Sequence, residues 1–270
     1  MGVDVQDTVL DRFDRVEDLR AAIRAGRFLG QTAGHAPGKL QANLAILPAA
    51  FARDFEGYAR ANPRACPLVG MGAPGDPVLA DLGAIDIRSD VPSYNIYRQG
   101  VLTETLGDIS ELWQDDFVTF ALGCSFTFER ALIEAGIPLA HVAANATVPM
   151  YRTNIETTRV GPFGGGMVVS LRFIAPEHAD AAAAISAEYP WAHGGPIHTG
   201  APEEIGITDV MRPDWGDPPV ATDGTAMFWP CGVTPQNALA AAKPPICITH
   251  TPGRMLVTDI DDTKNAFLKP

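Results

Sequence analysis

The chain has 270 residues, with 32 acidic against 20 basic side chains, a formal net charge of −12 and no run of Lys or Arg. That balance leaves nothing to neutralise a phosphate backbone or hold an anionic membrane surface, so neither nucleic acid nor a membrane is expected as partner. Apolar runs are too short to span a bilayer, and the acidic start MGVDVQDTVLDRFD does not read as a secretory signal. The four cysteines Cys66, Cys124, Cys231 and Cys247 lie far apart without a CxxC pair, which points to reduced thiols and a cytoplasmic setting.

In chain order, Val16 to Arg27 has the spacing of an amphipathic helix that Gly26 can end. A glycine-rich loop, Gly30 to Gly38, leads into LQANLAILP; Ala49 to Ala61 has helical spacing, and Asn62-Pro63 breaks it. CPLVGMG is a short apolar run ending in glycines, as in a buried strand, and DVPSYNIYRQGVLTET alternates as a hairpin turning at Gln99-Gly100. For DDFVTFALGCSFTFERALIEAGIP the expectation is helical, capped at Asp115 or Asp116 and either continuous or split at Gly123. MVVSLRFI reads as a strand and PEHADAAAAISAEYP as a helix between prolines. AMFWPCGV, PPICITHTPG and RMLVTDID are apolar runs released into polar turns. The alternation predicts an α/β protein with mixed sheets.

Five stretches crowd reactive side chains against glycine and proline, where function is expected because a core has no use for them. GCSFTFE offers Cys124, Ser125 and Glu129, the last four residues after Ser125 and so on its helical face. The alternative is that Cys124 is a small buried hydrophobe and Glu129 a solvated residue. VPMYRTN holds Arg152 and Asn154, residue types that grip a carboxylate, although a surface arginine is equally open. HGGPIHTG carries His193 and His198 on a segment kept from being helical; they suit proton transfer near neutrality, with metal ligation the lesser reading. CGVTPQ and THTPG place Cys231, Thr234, Gln236 and His250 at strand ends, where loops gather into a crevice. The acidic TDIDD near the end reads as a hard-cation site or a solvated edge.

Taken together, QANLAILP, NPRACPL, DVPSYNIYRQG, DISELWQDDFVTFALGCSFTFE, VPMYRTN, GPFGGGMVVS, HGGPIHTG, PDWGDP, FWPCGVTPQ and THTPG resemble, in order, blocks of the DUF1445 family. That family is also called UPF0317 or the YcsI-like hydro-lyases, and it is related to the first part of mitochondrial D-glutamate cyclase. The resemblance implies a larger three-layer α/β domain intertwined with a smaller two-layer one, assigned here to 1–110 with 190–270 and to 111–189. It also implies a lyase that removes water, in the cyclase relative closing D-glutamate to 5-oxo-D-proline.

The expected activity is therefore a hydro-lyase or cyclase acting on a small amino, hydroxy or oxo acid. Arg152 and Asn154 would hold a carboxylate, with Ser125, Thr234, Gln236 and His250 completing the binding set. His193, His198, Glu129 and Cys124 would supply acid and base, and backbone N–H groups around 123–125 or 232–234 would stabilise an oxyanion. No cofactor is expected. The alternatives are a metal-assisted hydrolase or isomerase using a divalent metal on His193, His198 and Cys231 or Asp209, or a non-catalytic carboxylate-binding protein. A homo-oligomer is left open.

Overall fold

The computed structural model describes residues 12–263. Helix α1 (Val16–Arg24) is followed by β1 (Lys39–Pro48), α2 (Ala49–Ala61) and β2 (Leu68–Met71). The hairpin β3 (Tyr94–Arg98) and β4 (Val101–Leu106) comes next, then β5 (Phe117–Gly123), α3 (Phe126–Glu134) and the single turn α4 (Ala140–Ala143). Strands β6 (Met150–Glu156) and β7 (Gly166–Ile174), helix α5 (Ala179–Ala187), the short β8 (His198–Thr199) and β9 (Thr225–Pro230) form the next stretch. Helix α6 (Val233–Ala242), β10 (Cys247–His250) and β11 (Leu256–Asp261) close the described chain. None of its helices is long and apolar enough to cross a membrane.

The strands make two sheets, and every pairing between these strands is antiparallel. The larger runs β2-β5-β1-β10-β3-β4, with β11 also on β1; the smaller runs β6-β7-β9-β8. Strand β1 is the axis because both of its faces are apolar. Leu44 and Ile46 enter one core with Phe128 and Leu132 of α3, Ala182 of α5 and Trp229 of β9, while Ala45 and Leu47 enter another with Phe55 and Tyr58 of α2 and Leu239 of α6. Helices therefore cover both faces of the larger sheet, and the smaller sheet packs beyond α3 and α5. The α/β class and its three-layer unit are as expected, whereas the sheets, expected to be mixed, pair only antiparallel among the described strands.

Residues 111–189 contribute β5 to the larger sheet and β6 and β7 to the smaller one, which β8 and β9 from the following segment complete. The segment from Phe117 to Gly123, expected as helix, is instead a strand buried along its whole length. It lies between β1 and β2 and enters a core on each face, Phe117 and Ala121 on one and Val118, Phe120 and Leu122 on the other, and such a run carries no two-residue alternation to reveal it. The helix that was expected begins only after Gly123. At that glycine an added Cβ would come 1.6 Å from the Trp191 carbonyl oxygen, so the crossing of the two backbones requires glycine.

Candidate active site

Where β5 gives way to α3, the chain reads Gly123-Cys124-Ser125; where β9 gives way to α6, it reads Pro230-Cys231-Gly232. One strand belongs to each sheet, and the two helices begin at the same cavity, about 300 Å³ in volume. Its wall includes Cys124, Ser125, Phe126, Cys231, Gly232 and Val233, so both first turns present backbone N–H groups that no helical carbonyl claims. They overlap the two groups, 123–125 and 232–234, that the sequence suggested for an oxyanion, except that the Gly123 N–H goes to the Pro67 carbonyl at 2.8 Å and the Thr234 N–H to the Cys231 carbonyl at 2.9 Å. Asn43 of β1 ties the junctions together: its Nδ2 donates to the Gly123 carbonyl at 2.8 Å, and its side chain fills the space that a Cβ on Gly232 would need.

Glu129 lies one turn into α3, almost fully buried, and does not stand alone. Arg172 of β7 donates through Nε to Glu129 Oε1 at 3.0 Å and through Nη2 to the same oxygen. Two further N–H groups go to Ser170 Oγ at 2.9 Å and Ser125 Oγ at 3.2 Å, and its guanidinium lies over the rings of Phe128 and Trp229. From α4, His141 Nε2 reaches Glu129 Oε1 at 3.1 Å. Burial alone would raise the Glu129 carboxyl, but the Arg172 and His141 charges and hydrogen bonds outweigh it and hold the group down at about 2. Glu129 is thus a fixed anion that orients His141 toward the cavity.

Two further histidines face the same space in neutral form. His193 sits at φ +80°, in the left-handed region, and its Nδ1 donates to the Arg64 carbonyl at 2.8 Å. That bond leaves Nε2 as an acceptor, buried and without a partner. Burial drives its pKa down to about 4. His250 ends β10 at the point where β1 passes from pairing with β10 to pairing with β11, and its Nδ1 accepts the Leu44 N–H at 3.1 Å. The imidazole replaces a missing ladder carbonyl, and burial lowers it too to about 4. Both thiols are pushed the other way by burial, Cys124 to about 12 and Cys231 to about 11.

Of the sequence-proposed residues, the cavity brings together Cys124, Ser125, Glu129, His193, Cys231 and His250. Thr234 is buried beside it, where its hydroxyl donates to the Val168 carbonyl and accepts the Val168 N–H, fastening α6 to β7. Gln236 lies further along α6 and does not line the cavity. His198 lies outside the cavity on β8, its Nε2 on the Ala201 carbonyl, so it does not converge with His193. Arg152 is also outside the cavity wall: it pairs with Asp214 at 2.6 Å, lies over Trp215 and borders a separate surface pocket with Asp209. Asn154, two residues on, packs against Gly206 near that pocket. The ligand set His193, His198, Cys231 and Asp209 is therefore dispersed. Near the end of the chain Asp259, Asp261 and Asp262 are each held by a different cation, Arg20, Lys39 and Arg130, rather than grouped.

The residues that sequence reasoning missed are Arg172, His141 and Asn43. For Arg172 a signal exists, since Ser170 and Arg172 are polar at a two-residue interval inside an otherwise apolar strand. His141 and Asn43 carry no such mark.

Relatives place this arrangement in a family. A protein from Dinoroseobacter shibae named "Putative hydro-lyase" is 56% identical over 94% of this chain and 85% of its own length. One of the same name from a Jannaschia species is 55% identical over 90% of this chain and 92% of its own. Another from Verminephrobacter eiseniae is 52% identical over 92% and 91%. Among solved structures, a nitrogen repressor-like protein from Methanococcus jannaschii aligns with 12% identity and a TM-score of 0.39 over 87% of this chain and 92% of that one, a likeness too low to support any argument. The family model described as D-glutamate cyclase matches residues 118–259, a span that holds Cys124, Glu129, His141, Arg172, His193, Cys231 and His250. The chain belongs to the D-glutamate cyclase family.

Proposed function

We propose that this protein is a hydro-lyase acting on a small amino, hydroxy or oxo acid, and that its reaction is the reversible closure of D-glutamate to 5-oxo-D-proline and water. One observation carries the reading: His193 Nε2 is a buried, partnerless acceptor in a cavity that also receives the open N–H groups of two helix N-termini. A ligand with one proton to give and carboxylate oxygens to place satisfies both.

In the forward direction the neutral amine nitrogen attacks the carbon of the protonated side-chain carboxyl, whose C=O electron pair moves onto oxygen, and then loses a proton to His193 Nε2. The amides at Ser125 and Phe126, or at Gly232 and Val233, hold the oxygen that becomes negative in the tetrahedral intermediate. His141, aligned by Glu129, gives a proton to the departing oxygen, which leaves as water. Proton transfer and loss of water call for no redox cofactor. The ligand is a small carboxylate, gripped by the helix amides rather than by Arg152.

The test is incubation of the purified protein with D-glutamate and, separately, with 5-oxo-D-proline, followed by mass spectrometry for loss or gain of one water. Turnover is expected in both directions and should fall about 10²- to 10⁴-fold in His193→Ala and in His141→Ala. Unchanged turnover in His193→Ala would remove it from the mechanism; tight carboxylate binding with no product would make this a binding protein.

A further inference from the structure

The four cysteines divide into two kinds. Cys66 and Cys247 are packed in the apolar cluster with Tyr58, Leu47 and Phe120, where a small hydrophobe is all that is asked of them. Cys124 and Cys231 instead line the cavity, both as free thiols. They occupy equivalent places, each directly after a strand and just before a helix, one in each sheet. Each stands at the start of the helix whose first N–H groups open into the cavity. The water-loss reaction uses neither.

We propose that Cys124 and Cys231 are a second acid–base pair, which exchanges and inverts the hydrogen on the α-carbon of the bound acid, so that the same cavity interconverts its mirror-image forms. The inference rests on the reading that a small amino acid or its lactam binds there. One sulfur enters as thiolate, its proton lost to solvent, and takes the α-hydrogen. The C–H electron pair passes into the adjacent carboxylate, whose added charge the helix amides receive. The second thiol, offered from the other sheet, gives its proton to the opposite face of the carbon and is left as thiolate. A new C–H bond replaces the old one, nothing is oxidised or reduced, and the reverse reaction starts from the state the forward reaction leaves. Burial raises both thiols, so the thiolate is the minor form at neutral pH and a correspondingly strong base, as a carbon acid requires.

The experiment is incubation of the whole protein in D₂O with D-glutamate and with 5-oxo-D-proline, read by proton NMR at the α-carbon and by chiral chromatography. The expected result is deuterium at that carbon together with the opposite enantiomer, the new enantiomer labelled before the recovered starting material. The ratio of exchange and inversion to water loss should fall at least 100-fold in Cys124→Ser and in Cys231→Ser, since a serine hydroxyl is too weak an acid to replace a thiol in proton transfer. Water loss without label at the α-carbon of wild-type protein would overturn the thiol pair and leave the hydro-lyase reading standing. Label retained in both serine variants would also overturn it. Absence of binding of either probe by calorimetry would remove both readings together.

Discussion

Asn43 and Gly232 touch across the seam between the two sheets: a Cβ on Gly232 would fall 2.2 Å from Asn43 Nδ2 and 2.5 Å from its Cγ. The same Nδ2 holds the Gly123 carbonyl at the other strand-to-helix junction, so one amide sets the spacing of both helix starts. Gly232→Ala is expected to displace Asn43, destabilise the fold by about 1–3 kcal/mol and abolish ligand-induced thermal shifts. Urea unfolding measures the first effect, and thermal melts with and without D-glutamate measure the second. A variant with full activity would show that Asn43 does not set the spacing.

The buried Arg172–Glu129 pair predicts strong coupling. Either Arg172→Met or Glu129→Gln strips a buried charge of its partner, at a cost of about 3–5 kcal/mol, whereas the double variant should lose markedly less than the sum. A double-mutant cycle on unfolding free energies decides it; simple additivity would mean that the pair is not coupled.

Glu129 also fixes an acid dependence. Its folded pKa of about 2 lies below its ordinary value, so the stability it contributes is complete above pH 4.5 and is lost as pH falls toward 2. The full amount is of order 3 kcal/mol. Relative to wild type, Glu129→Gln should show a flatter stability profile between pH 4.5 and 2, measured by urea midpoints at each pH.

His193 and His250 act over a higher range. Both are lowered from 6.5 to about 4, so the unfolded chain takes up their protons first, and stability is lost as pH falls from 6.5 through 4 and levels off below that. In the folded protein neither imidazole should titrate above about pH 5. Proton NMR of the ring C–H signals tests this directly, and a midpoint near 6.5 for either would contradict its enclosure.

Arg152 and His198 provide the opposite kind of test. Both lie outside the cavity wall, so Arg152→Ala and His198→Ala are expected to leave turnover and ligand affinity within about twofold of wild type, with stability changes of about 1 kcal/mol or less. A tenfold loss of affinity in Arg152→Ala would move the carboxylate site to the surface pocket beside Asp214.

What the sequence revealed followed the range of the interaction. Helix α2 is bounded by Pro48 and Asn62, and the β3–β4 hairpin turns at Gln99-Gly100 as read, because the signals for both are local. Strand β5 was misread because its side chains are apolar toward both faces, leaving only its length and its place between β1 and β2 to identify it. In the site, Cys124, Ser125, Glu129 and His193 stood out as polar groups framed by glycine. Arg152 stood out equally, and the aspartate that neutralises it lies 62 residues away. Local pattern shows which side chains are reactive; which of them meet depends on pairings such as Glu129 with Arg172, 43 residues apart.

The position of β10 has a consequence for how the molecule comes into being. It lies between β1 and β3, so the first half of the chain can build only two separate ribbons, β2-β5-β1 and β3-β4, with an open gap between them. The chain must complete the smaller sheet before the strand that fills the gap emerges, and this strand brings His250 with it. Filling of the gap in the larger sheet and assembly of the pocket are thus a single late event in synthesis, and a polypeptide halted before residue 247 would have neither.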